Sequence, residues 1–132
     1  MTTLYSFCAE TNCADGNGPE GGLFQATNGT LYGTTLAGGA NSEGTIFSLA
    51  VGLGSFVETL PASGKVGATV RILGDNLKGA TKVRFNGTAA AFTIVSSSYI
   101  KTSVPRGATT GFVTVTTSTG TLKRNVSFHV TK

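Results

Sequence analysis

The chain has 132 residues, enough for one domain or a small domain with an appendage, and nineteen of them are glycine. Many Thr and Val beside a single Met favour strands joined by tight turns over helices, and no apolar run approaches the length of a helical membrane span. Up to Ser55 four carboxylates stand without any Lys or Arg, for −4, whereas from Phe56 onward ten bases face two carboxylates, for +8.

That charge break predicts two modules, residues 1–55 and 56–132, joined near 51–55. Met1 to Tyr5 lacks the basic start and apolar core of a secretion leader, so the chain reads as a piece of a longer secreted protein. Residues 3–7, 22–26, 30–35 and 44–49 are expected to form a four-stranded sheet, with Asn28-Gly29 as a hairpin turn. The string Gly16-Asn17-Gly18-Pro19-Glu20-Gly21 spells a dinucleotide-binding fingerprint. That motif needs a helix after it to meet phosphate, and here Pro19 and further glycine follow instead, so the string reads as a turn. Asp15, Asn17 and Glu20 fall short of the oxygen ligands of a calcium loop, so neither a cofactor nor a metal is expected.

The second module alternates apolar and polar residues with a period of two, which gives each strand one dry and one wet face. Val70 and Ile72, Val83 and Phe85, Phe92 and Ile94, Ile100 with Thr102 and Val104, Val113 and Val115, and Val126 with Phe128 and Val130 mark the strands. Asn86-Gly87 between two of them is a type I′ hairpin signal, because both residues tolerate positive φ. Six or seven short strands at this spacing predict an all-β, two-sheet sandwich whose core holds by packing alone, since no cysteine lies in this half.

The ordered elements Pro61, Gly64, Gly67, Val70-x-Ile72-x-Gly74, Val83-x-Phe85-Asn86-Gly87, Val104-Pro105, Gly111-x-Val113-x-Val115 and Gly120 make residues 56–132 resemble the IPT/TIG family of immunoglobulin-like domains. The bacterial members it resembles are extracellular modules without catalytic residues of their own. Residues 3–50 resemble something else. Leu4-Tyr5-Ser6-Phe7-Cys8, Asn28-Gly29-Thr30-Leu31-Tyr32-Gly33-Thr34-Thr35, Gly38-Gly39 and Gly44-Thr45-Ile46-Phe47 look like one unit of the GloVer tandem repeats of bacterial secreted or surface proteins. The resemblance implies a propeller-blade-like sheet. One such unit cannot bury its own apolar faces, so self-association through residues 1–55 is expected.

In an extracellular setting Cys8 and Cys13, the two cysteines of the chain, are expected to form a local disulfide. His129 stands between Phe128 and Val130 and should face solvent, away from any orienting acid, so no catalytic residue is assigned. The bases of the second half are spread singly along strands without interleaved aromatics, which argues against nucleic acid and for solvated outer faces. These readings point to a non-catalytic structural, adhesive or assembly module, secreted or held at the cell surface. Its partners would be itself, a polysaccharide or a surface protein. Two alternatives stay open: a carbohydrate-binding accessory module of a polysaccharide-active enzyme, using Tyr5, Tyr32, Tyr99 or Phe112 to stack sugar rings, and a small hydrolase.

Overall fold

A computed structural model describes all residues, Met1–Lys132, as two compact units, Met1–Leu53 and Gly54–Lys132. Both are built from strands, and no helix is long and apolar enough to cross a membrane.

The first unit carries β1 (Phe24–Gln25), β2 (Leu31–Thr34) and β3 (Ile46–Leu49) in one antiparallel sheet of order β1-β2-β3. The register sets Phe24, Tyr32 and Ser48 side by side on one face, and Gln25, Leu31 and Leu49 on the other. The β1–β2 turn closes with the Gly29 amide donating to the Ala26 carbonyl at 2.9 Å, and Gly29 has φ +87°. Asn28 is not left-handed; its Oδ1 accepts from the Thr30 amide at 2.9 Å, so the turn is of the type I plus αL-glycine kind, not type I′. Gly33 is required where it stands, since a Cβ there would lie 2.5 Å from the Phe47 ring.

The expected fourth strand, 3–7, does not form. Cys8 turns the chain at φ +61° and its amide donates to the Gly16 carbonyl, so the segment before it is drawn into the 8–16 loop and pairs with no strand.

The second unit is a sandwich. One sheet has the order β4-β6-β10-β9, from Glu58–Leu60, Thr69–Leu73, Tyr99–Ser103 and Phe92–Ser96. The other has the order β12-β11-β7-β8, from Gly120–Lys123, Val113–Thr117, Ala80–Phe85 and Thr88–Ala90. A parallel pair, β5 (Ser63–Lys65) with β13 (His129–Thr131), completes the unit. The period-two pattern does what it must: Val70 and Ile72, Val83 and Phe85, and Val113 and Val115 are buried, while the residues between them are exposed on β6 and β7 and half-buried on β11. Each such side chain removed from water contributes roughly 1.5–3 kcal/mol. Phe85 and Phe128 meet edge to face at 5.1 Å between ring centres. At the β7–β8 turn, Asn86 and Gly87 have φ +44° and +88°, the type I′ geometry that their sequence signals.

Two expectations fail near the C-terminus, for one reason. Arg124 is not on a solvated face but 5% exposed, and Val126, expected in a strand, is 61% exposed. The Arg124 guanidinium donates through Nε to Glu58 Oε1 at 2.6 Å and through Nη1 to the carbonyls of Val126 and Ser127 at 2.8 and 2.9 Å. Those two carbonyls are thereby bent toward the cation instead of into a ladder, and the last strand starts only at His129.

On β4 the Thr59 hydroxyl is buried without a hydrogen-bond partner. Thr59→Val is therefore expected to be neutral or stabilising by up to about 1 kcal/mol, whereas Ile72→Ala should cost about 2–5 kcal/mol. Denaturant midpoints of the two variants would check this, and a Thr59→Val protein as weakened as Ile72→Ala would contradict it.

Candidate functional site

The first unit folds its N-terminal segment over one face of its sheet and leaves a concavity there. The space measures about 670 Å³ and is walled by Tyr5, Phe7, Leu23, Phe47 and Leu49, with Asp15 beside them. This size lies within the range of small-molecule sites.

The Tyr5 and Phe7 part of the wall leads directly into a short loop closed by a covalent bond. The structure joins Cys8 to Cys13 by a disulfide, with a 3-10 turn over Thr11–Cys13 between them. The closed loop turns the amides of Ala9 and Glu10 toward the Asp15 carboxylate, at 3.0 and 3.3 Å. The Tyr5 hydroxyl donates to the same carboxylate at 2.8 Å. From Tyr5 a chain of rings runs inward, Tyr5 to Phe7 at 5.1 Å and Phe7 to Phe47 at 4.7 Å, both edge to face. One carboxylate thus fixes the loop, and the loop fixes the aromatic wall.

Electrostatics follow from those contacts. Partial desolvation opposes the charge on Asp15, but the Tyr5 hydroxyl and the loop amides outweigh it together and hold the carboxyl below its ordinary range. The Tyr5 phenol is pushed up, first by its hydrogen bond to Asp15, then by desolvation and by the nearby negative charge. A carboxylate already accepting three hydrogen bonds is better suited to holding structure than to taking a proton from a substrate. What the concavity offers a ligand is apolar and aromatic contact.

The four aromatic residues proposed to stack sugars are not brought together. Tyr5 lines the concavity, while Tyr32 lies on the opposite face of that sheet, 38% exposed and directly across from Phe24. In the second unit Tyr99 is half-buried at the start of β10. Phe112 precedes β11 in the other sheet, and the Lys123 ammonium sits 4.1 Å above its ring. His129 is exposed, with Nδ1 3.4 Å from the Thr110 hydroxyl. Sequence reasoning missed Phe7 and Phe47 as a pair, and missed Asp15 as the loop's anchor. Forty residues separate the two rings, and no local pattern links them.

Residues 55–130 match the family model described as the IPT/TIG domain. Among solved structures, the chain is similar to the surface glycan-binding protein PbSGBP-B from Prevotella bryantii, with a TM-score of 0.45 and 23% identity over 64% of this chain. The match spans 19% of that protein's length. No curated protein matches the chain.

Asp15→Asn is expected to return the Tyr5 phenol toward the ordinary tyrosine value. The sign for stability is also set: because Asp15 is held low in the folded loop, its contribution is present above the ordinary carboxylate pKa and is lost as pH falls through the folded value. Ring chemical shifts of Tyr5 followed across pH would show both effects, and a Tyr5 titration identical in Asp15→Asn would refute the assignment.

Proposed function

The chain belongs to the IPT/TIG domain family through residues 55–130, and on that premise we propose that it is a non-catalytic extracellular module in which the sandwich serves as a spacer and the first unit as an assembly element. In this reading residues 1–55 are one repeat-type sheet in want of a neighbour, and residues 56–132 are the immunoglobulin-like sandwich.

One observation carries the proposal. Every fully buried apolar side chain lies between Val57 and Phe128, and the first unit has none. It instead exposes Leu23 (53%), Phe24 (69%), Leu36 (65%) and Ile46 (82%). Its buried positions are small or polar: Gly16, Gly29, Gly33, Thr35 and Gly38. A sheet this apolar and this uncovered gains most by packing against another sheet. The Cys8–Cys13 disulfide suits an oxidising, extracellular setting.

Carbohydrate binding is a second reading, favoured by the exposed cross-strand pair of Phe24 and Tyr32. A glycan array that retains the protein, and loses it on Tyr32→Ser, would support that reading over assembly alone.

Assembly is tested by sedimentation of the full chain beside residues 54–132. The full chain is expected to associate as concentration rises while the sandwich alone stays monomeric; a full chain that is monomeric throughout would sink the proposal. Intact mass after alkylation without reductant checks the setting, since protein from an oxidising compartment should take up no alkyl group at Cys8 or Cys13.

A further inference from the structure

Strand β3 is the open edge of the first unit's sheet, with β2 on one side and no strand on the other. The Thr35 amide donates to the Thr45 carbonyl at 2.9 Å, in register with the β2–β3 ladder. In an antiparallel ladder the hydrogen-bonded positions alternate, so Thr45, Phe47 and Leu49 turn their backbone groups toward β2. Ile46 and Ser48 therefore present theirs outward. Residues 1–5 line the concavity together with Ser48 and Leu49, but no backbone hydrogen bond joins residues 1–7 to this edge, so its outward N–H and C=O groups keep no backbone partner from that segment.

Exposed edges are commonly blunted by charge, proline or a bulge. This one has none of the three: residues 44–57 contain no charged residue and no proline, and β2 and β3 pair without a register shift. By contrast, the edge strand β12 ends in Lys123, and the pairing that holds edge strand β9 is interrupted by a register shift. The stretch Ile46-Phe47-Ser48-Leu49-Ala50-Val51 carries three strand formers, Ile46, Phe47 and Val51, and no charge or proline, which leaves strand-to-strand addition unopposed.

We infer that β3 is the edge through which two copies of this chain join, by antiparallel pairing of β3 with β3 of the second copy into one continuous six-stranded sheet. The occupant is a second copy because the edge is complementary to itself. Related by a two-fold axis at Phe47, the two strands set Ile46 opposite the partner's Ser48, so the outward groups of each meet those of the other. No like charges face each other across the pairing, because the four carboxylates of the unit, Glu10, Asp15, Glu20 and Glu43, all lie outside residues 44–57. The join also brings the exposed apolar faces of the two sheets into one surface and covers part of Ile46.

This inference rests on the proposed assembly through the first unit, and its test separates the two. Ser48→Pro removes one outward N–H while leaving every bond to β2, a position where an edge strand tolerates proline. In the full chain, Ser48→Pro should lower the association constant at least about tenfold, the loss of roughly 1.4 kcal/mol, while Val95→Thr, at an exposed position on β9 of the sandwich, should change it little. Amide exchange gives the second readout. The Ile46 and Ser48 amides should exchange rapidly in dilute protein and become protected as concentration rises, with the Phe47 amide protected throughout. Association that survives Ser48→Pro, with Ile46 and Ser48 still unprotected, would overturn edge pairing but leave assembly standing. Protection of those two amides at all concentrations would mean that the chain's own residues 3–7 cover the edge, which also overturns it. A full chain that never associates overturns both.

Discussion

The separation of apolar burial between the two units is the constraint on which the rest depends. In the sandwich, strands of opposite sheets interdigitate their dry faces, and the resulting core lies wholly within that unit. In the first unit a single three-stranded sheet has no second layer, and a sheet without one exposes whichever face its loops fail to reach. Its order comes from other sources: the disulfide, the Asp15 anchor, and glycines packed so closely that side chains could not replace them. A Cβ on Gly38 would lie 2.5 Å from the Cys13 carbonyl oxygen. The hydroxyls of Thr35 and Thr45, 2.9 Å apart, tie the ends of β2 and β3. Polar and steric fixation of this kind sets shape but supplies little of the burial that normally drives folding.

How legible each unit was in the sequence follows from the same difference. In the second unit Val70, Ile72, Val83, Phe85, Val113 and Val115 announce their faces by alternation, because a strand between core and solvent must alternate. The Asn86-Gly87 turn was legible for a similarly local reason. In the first unit the strands around Tyr32 and Phe47 were readable, but 3–7 looked like a strand and is not one. Its fate is decided by Cys8 and Asp15, a covalent and a polar tie that periodicity does not encode. Arg124 was misread for the converse reason: a base beside Lys123 looks solvated, and only Glu58, sixty-six positions away, shows otherwise. Of the candidate site, Tyr5 was named from sequence; the rings it leads to, Phe7 and Phe47, were visible only in three dimensions.

The pairing of β5 with β13 has a mechanical consequence. Because the two strands run parallel, a pull that enters near Val57 and leaves beyond Thr131 drags them past one another along their length. Their hydrogen bonds, slanted but evenly spaced, then bear the load together and not in succession. The Arg124 guanidinium adds a second tie, from Glu58 at the start of β4 to two carbonyls just ahead of β13. A sandwich strung this way resists tension as a lap joint does, by shear across a short overlap.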